Sequence, residues 1–392
     1  MRILMLGWEL PPHIQGGMGV VCYEMSKVLA EHGATIDFVL PYTAEHPGSE
    51  FMNIISATTK PPLANGGFGA YEDWFKNKTE LSEIHDAYTT SALSHTTTHK
   101  PDIIHAHDWL TLRTGMELKQ KLGRPLVAHV HATEFDRAGG HRGNPLIHEI
   151  EYTGLTLADR VIAISDYTKS ILINKYDIPA SKIEVIHNTI NYDDFADLTD
   201  GESYRYIAKM KQEGYYVVGA VGRLTVQKGY EHLIRAMGKA SKRFSRLILI
   251  IGSSGELRDK LIELSAEQGV ADRVILPGWV SGAHQRDIFS LADAFVMSSV
   301  SEPFGITPLE AAAHNSAVVV TKQTGSGEIL RHSIKYDYWD EDKLADILIN
   351  LASSPSLTKH LQISAANEVR TMNWRAVAPK YMEQYRLLGA QL

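Results

Sequence analysis

The chain has 392 residues, 44% hydrophobic and 22% charged, with 39 Lys+Arg against 46 Asp+Glu. That composition excludes wholesale disorder, and at roughly 100–200 residues per domain the length predicts two or three domains. The formal charge of −7 gives no electrostatic drive toward nucleic acid, and no apolar run approaches the ~18 residues of a membrane span.

Cys22 is the single cysteine, so no intrachain disulfide can form, which fits a reducing compartment. The opening MRILMLGWELPP is too short for a signal segment and is broken by Glu9 and two prolines. A cytoplasmic protein is expected. In chain order, residues 2–6 (RILML) read as a buried strand and 19–32 as a helix with Gly33 at its end. Strands follow at 35–41, 102–106, 125–130, 160–164 and 183–187, with helices at 111–122, 145–158 and 166–176. Residues 43–100 are the least regular stretch and read as a mobile excursion with one helix at about 79–95. The polar, acid-rich segment 191–214 reads as a linker.

The alternation restarts after residue 215. Strands are expected at 215–222, 246–252, 273–278, 293–299 and 317–321, and helices at 228–242, 255–268, 282–291 and 307–314. Both halves therefore read as doubly wound α/β domains with parallel sheets covered on both faces. In such sheets ligands bind beyond the carboxyl ends of the strands, so the residues just after each strand carry the chemistry.

After the first strand, Gly16, Gly17 and Gly19 precede a helix and could let backbone amides approach an anion. After the strand at 102–106 come His107, Asp108 and Trp109; after that at 125–130 come His131, Ala132, Thr133 and Glu134. Asp108 could act there or simply favour a helix dipole, with Thr111 as cap. The two H-x-H pairs, His105/His107 and His129/His131, also have the spacing of metal ligands on a strand, which keeps a metal-dependent hydrolase as a rival reading. After the strand at 215–222, Arg223 and Lys228 in GRLTVQKG make a diphosphate clamp or two solvated charges. The sharpest signal is SEPFGITPLEAAAHN, in which seven residues separate Glu302 and Glu310. Thr307, Pro308 and Glu310 also read as a helix capping box. Capping leaves Glu302 and the Phe304-Gly305-Ile306 turn unexplained. Amides for phosphate beside carboxylates for sugar hydroxyls describe a nucleotide-sugar site.

This ordered set resembles the GT4 family of retaining glycosyltransferases over nearly the whole chain. The resemblance rests on the Gly16-Gly17 loop, HAHDW (105–109), VIAISDYTK (161–169), VIHNTIN (185–191), GRLTVQKG (222–229), Glu302-x7-Glu310 and NWRAVAPKYMEQY (373–385). HAHDW and ATEFDRAGG look most like glycogen-synthase-like members. Two departures stand out. Gln15 replaces the Lys of glycogen and starch synthases proper, and IKYDYWDED (334–342) replaces the usual strand after the glycine-rich run 324–328. The resemblance implies the α/β GT-B fold, two Rossmann-like domains facing across a cleft. It assigns an acceptor-side domain to 1–195, with the C-terminal helix 374–392 packing back on it, and a nucleotide-sugar domain to 205–373.

It also implies the roles. Arg223 and Lys228 neutralise the donor diphosphate, Glu310 holds ribose, and Glu302 with Phe304, Gly305 and Ile306 contacts sugar or phosphate. His131 binds the donor sugar, Asp108 orients donor or acceptor, and Gly16 and Gly17 approach the diphosphate. The implied activity is hexosyl transfer, with glucose as sugar and an α-glucan as acceptor. The implied partners are a UDP-, ADP- or GDP-sugar and a sugar or glucan; no metal or other cofactor is expected. A small-molecule or lipid-linked acceptor, a GT-B epimerase and a non-catalytic binding module are the other readings.

Overall fold

Short runs of Val, Ile and Leu, such as LILIIG at 247–252, bury every side chain and so need cover on both faces. The chain meets that need twice. The structure, a computed structural model, describes residues 1–14, 16–62, 78–195 and 202–390. It divides into two compact units. The first comprises Met1–Phe135, Arg142–Asn188 and Trp374–Leu392; the second comprises Asp136–His141 and Thr189–Asn373.

The first unit holds seven parallel strands in the order β3-β2-β1-β4-β5-β6-β7. They are β1 (Arg2–Leu6), β2 (Thr35–Leu40), β3 (Asn53–Ser56), β4 (Ile103–His107), β5 (Leu126–Val130), β6 (Arg160–Ala163) and β7 (Ile183–Val185). The order reverses between β1 and β4, so the loops leaving these two neighbours diverge to opposite faces and leave a crevice at the carboxyl edge. The helix Ala378–Leu387 lies on this unit. Its Tyr381 and Tyr385 are buried, and Tyr385 reaches His105 of β4.

The second unit repeats the design with six parallel strands in the order β10-β9-β8-β11-β12-β13. These are β8 (Tyr216–Val221), β9 (Leu247–Gly252), β10 (Val274–Gly278), β11 (Ala294–Met297), β12 (Ala317–Thr321) and β13 (Ile334–Tyr336). Here the reversal falls between β8 and β11. Leu233, Met237 and Leu249 lie in the core on one face, and Ile248, Ile250 and Ile288 on the other. Among the described residues no helix is long and apolar enough to cross a membrane.

Several local expectations change. Residues 191–214 are not simply a linker. They hold 3₁₀ turns at Tyr192–Phe195 and Glu202–Tyr204 and a helix at Arg205–Gln212, whose Ile207 packs against Val217, Ile248 and Ile250. The charges there lie on the solvated face and hide an apolar anchor, with Tyr204, Ala208 and Met210 packing beside Ile207. The stretch 43–100 contributes the edge strand β3 as well as the helix Lys78–Thr96. Asn53 at its start donates to Asp37 of β2 at 2.8 Å. Most of PPLANGGFGAY lies outside the described residues. The segment IKYDYWDED keeps a strand, since Ile334–Tyr336 pairs with β12.

Ile250 is fully buried in the central part of the second sheet. Ile250→Ala should therefore destabilise the protein by about 2–5 kcal/mol, read from denaturant midpoints at unchanged slope.

Candidate active site

The residues singled out in the second unit all leave the two strands that flank its reversal. After β8 the backbone passes exposed Arg223, then buried Leu224, whose N–H donates to Ser254 O at 3.0 Å. A 3₁₀ turn, Val226–Lys228, ends at Gly229 with φ +63°. A Cβ at Gly229 would stand 2.2 Å from the carbonyl oxygen of Ser298, so only glycine fits. This close approach joins the loop after β8 to the loop after β11. Val300 N–H donates to Gln227 O at 2.8 Å, Gln227 Nε2 donates to Ser301 O at 2.9 Å, and Ser298 Oγ donates to Lys228 O at 2.9 Å.

Within that joint Lys228 Nζ forms an ion pair with Glu302, and Ser299 Oγ donates to the same carboxylate oxygen at 3.0 Å. Glu302 is held from behind by its N–H to Gln323 O (2.9 Å) and by Gly325 N–H to its own carbonyl (3.0 Å). Arg223 forms no ion pair among the described residues, which leaves its guanidinium available to an anion.

Phe304 is buried, and Gly305 turns the chain at φ +79°. Ile306 then precedes the helix Thr307–Ala313. The capping-box reading fails. Thr307 is the first helical residue, and among the described residues no side chain caps this helix and Thr307 Oγ is buried without a partner. Glu310 instead accepts from Gln285 Nε2 at 3.2 Å. Burial raises its carboxyl to about 7, an effect that the Gln285 bond opposes. Its carboxylate is therefore a costly charge waiting for further donors.

In the first unit, Asp108 opens the helix Asp108–Leu122 with φ +56°, a left-handed conformation that Asp tolerates better than most residues. Its Oδ1 accepts from the His131 N–H at 2.6 Å and the Ala132 N–H at 3.3 Å, tying the end of β4 to the end of β5. Thr111 does not cap this helix; its hydroxyl donates back to His107 O at 2.8 Å. The glycines divide by role. Gly17 opens the helix Gly17–Glu31, and Gly19 lies inside its first turn. Gly19 N–H donates to Glu9 Oε1 at 3.2 Å, and a Cβ there would meet Ile14 at 2.5 Å. A carboxylate of the chain itself thus takes one amide that the sequence offered to an anion. Gly16 is exposed and extended, and among the described residues a Cβ on it would meet nothing within 4 Å.

The two H-x-H pairs come together because β4 and β5 stay regular and in register, His107 opposite His129. His105 shares a hydrogen bond with Tyr385 Oη (2.8 Å) through Nδ1 and with His129 Nδ1 (3.2 Å) through Nε2. His107 Nδ1 meets His131 Nε2 at 2.9 Å. Burial lowers all four pKa values, those of His105 and His131 to about 3, so the cluster is neutral. Among the described residues, three ligating atoms of this cluster lie close together in two combinations, the Cys22 thiol with His107 and His131, and the rings of His105, His107 and His129. The bonds above already engage both nitrogens of His105, so a metal bound there would have to displace one of them, whereas His107, His129 and His131 each keep one nitrogen outside these bonds.

Comparison with known proteins fits this arrangement. Residues 15–194 match the Glycosyltransferase Family 4 model, and residues 207–368 match Glycosyl transferases group 1. An uncharacterized glycosyltransferase of Methanocaldococcus jannaschii is 30% identical over 396 aligned positions, covering 99% of this chain and 98% of that one. The chain belongs to glycosyltransferase family 4. A glycogen synthase of Mycobacterium tuberculosis is 28% identical over 84% of this chain and 80% of its own. Among solved structures, sucrose-phosphate synthase from Thermosynechococcus elongatus superposes with a TM-score of 0.80 at 19% identity, covering 99% of both chains. Anabaena HepE in complex with UDP and glucose gives 0.76 at 17% identity, covering 99% of this chain and all of that one. The family-4 chain is thus a glycogen-synthase-like glycosyltransferase with two Rossmann-like units of the GT-B fold, and the hydrolase reading of the histidine pairs gives way.

Four contacts around the candidate site escape sequence reasoning: those made by Glu9, Gln285 and Ser299, and the pairing of His107 with His131. Glu9 carried a signal, since it lies in the loop between the first strand and the glycine run. Gln285 carried none.

The glycine contrast is testable by thermal denaturation. Gly229→Ala should cost more than the roughly 1–2 kcal/mol of left-handed strain, because carbonyl overlap adds to it. Gly16→Ala should leave stability within about 0.5 kcal/mol.

Proposed function

We propose that this enzyme transfers a glucosyl unit, with retention of configuration, from a nucleotide-diphosphate glucose to an α-glucan. The observation that carries the donor half is the joint at the second unit's strand reversal. It sets an unpaired guanidinium, an ammonium and two carboxylates on one carboxyl edge. Arg223 and Lys228 bind the diphosphate, with the Lys228–Glu302 pair exchanging for phosphate and sugar hydroxyls as the donor enters. Glu310 accepts the ribose hydroxyls, and the Phe304-Gly305-Ile306 turn brings its amides to sugar or phosphate. His131 contacts the donor sugar, Asp108 orients donor or acceptor and holds the β5 exit, and Gly16 and Gly17 give close access to the diphosphate. The glycogen-synthase likeness supports the glucan acceptor, and the HepE complex with UDP and glucose supports the donor class.

In the front-side route, the acceptor hydroxyl oxygen bonds to the anomeric carbon on the face from which the diphosphate leaves. The bond from that carbon to the phosphate oxygen breaks, and its electron pair stays on the diphosphate. That oxygen takes the acceptor's proton, so no protein nucleophile is used. Arg223 and Lys228 stabilise the charge that grows on the leaving group, the work that a metal performs elsewhere.

The deciding experiment is nucleotide release from UDP-, ADP- and GDP-sugars, with and without short maltooligosaccharides, repeated in chelator. Release from one glucose donor, stimulated by glucan and indifferent to chelator, is expected. Release without glucan stimulation moves the acceptor to a small molecule or lipid-linked sugar, and chelator-sensitive turnover removes the metal-free route. Arg223→Ala should lower kcat/KM at least about 100-fold while leaving the fold intact, the scale of losing one charge-stabilising donor.

A pH dependence follows from Glu310. Its carboxyl titrates near 7 in the free protein, and hydroxyl donors favour the ionised form. Donor KM should therefore fall as pH rises through about 7 and level off above it. Glu310→Gln should weaken donor binding and abolish this step, whereas a purely structural Glu310 would leave both unchanged.

A further inference from the structure

The buried histidine cluster has more order than packing requires. It contains four neutral rings, and each neutral imidazole carries one N–H and one bare nitrogen. Which nitrogen carries the proton is set by the partner of the other. In His107, Nδ1 faces His131 Nε2 at 2.9 Å, while Nε2 is buried with no partner among the described residues. Buried N–H groups left without an acceptor are rarer than acceptors left without a donor. The proton of His107 therefore belongs on Nδ1, where it makes a hydrogen bond.

The consequence passes to His131. Its Nε2 accepts from His107, so its own proton sits on Nδ1. His131 keeps 8% of its surface, and its Nδ1 is not sealed off as the unpartnered Nε2 atoms of His107 and His129 are. Nδ1 is thus the nitrogen that meets the outside. The backbone fixes the ring as well, because Asp108 Oδ1 holds the His131 N–H.

We propose that His107 is a positioning residue that locks His131 in the Nδ1–H tautomer, so that His131 presents a hydrogen-bond donor and selects an acceptor oxygen on the donor sugar. This rests on the reading of His131 as a sugar contact. The arrangement is fixed before any ligand arrives, which is what an orienting group near a reacting centre needs. A ring free to change tautomer would offer a lone pair as readily as an N–H.

The test begins on the ligand-free full chain labelled with ¹⁵N-histidine. Long-range ¹H–¹⁵N correlations distinguish the two tautomers, and His131→Gln assigns the His131 signals by their loss. Wild-type His131 is expected as Nδ1–H from pH 6 to 8. His107→Phe should release it toward Nε2–H, and His107→Asn, whose amide N–H lies near the position of Nδ1, should restore Nδ1–H. In nucleotide-release assays His107→Phe should raise donor KM about five- to tenfold with a smaller change in kcat, the scale of one neutral hydrogen bond, and His107→Asn should recover most of it. A wild-type His131 protonated on Nε2 overturns the proposal whatever the activity, and needs no variant to fold. The expected tautomers with an unchanged donor KM in His107→Phe overturn the positioning role alone. Wild-type protein that releases no nucleotide from any donor instead fails the reading of the previous subsection and leaves the tautomer result standing.

Discussion

Parallel strands cannot be joined by a tight turn. Each must return to the start of the sheet through a crossover, so every strand ends in a loop that leads into a helix. The carboxyl edge of each sheet is therefore a row of such loops, and where the winding direction reverses two of them part and expose the edge. In the second unit the reversal lies between β8 and β11. The loops that leave these strands carry Arg223, Lys228, Glu302 and Glu310. In the first unit it lies between β1 and β4, and the loops there carry Gly16, Gly17 and Asp108, with His131 one strand further on. The chemistry sits where the sheet's own connectivity leaves room for it.

Room alone would leave long polar side chains free to scatter. In the second unit they are gathered by the contact of Gly229 with Ser298, which no larger residue allows. Backbone bonds then run across from Gln227 to Val300 and Ser301. Ordering these loops costs conformational entropy, and burying Lys228 with Glu302 costs hydration. In the proposed reading the same cost prepares the site, with the charges in place before a charged donor exchanges with them.

Glu302 and Glu310 show how one spacing can hold two different carboxylates. Glu302 is matched by an ammonium and a serine hydroxyl. Among the described residues Glu310 has only an amide partner, and burial pushes it toward neutrality. The local pattern could not separate these states. Thr307-Pro308-Leu309-Glu310 satisfies the sequence rule for a capping box, but the helix starts one residue too early for Thr307 to act as cap. The carboxylate that capping would have consumed is left for other work.

What the chain determined by itself is the order of its elements, the parallel α/β class and the residues at strand ends, because apolar periodicity and glycine placement are local properties. The resemblance carried by those strand-end residues reached the family as well. Local pattern failed where a segment's role depends on a distant surface. Ile207 looks like a stray apolar residue until Val217, Ile248 and Ile250 form the face that covers it. β3 is a four-residue strand only because β2 offers an open edge. The tertiary structure alone decided that Gln285, and not a helix end, answers Glu310, and that four histidines from two strands form one neutral network closed by Tyr385. Such partners lie tens to hundreds of residues apart. Their pairing is set by which strands become neighbours and by the dielectric of the interior they share, and neither is written in any local stretch of sequence.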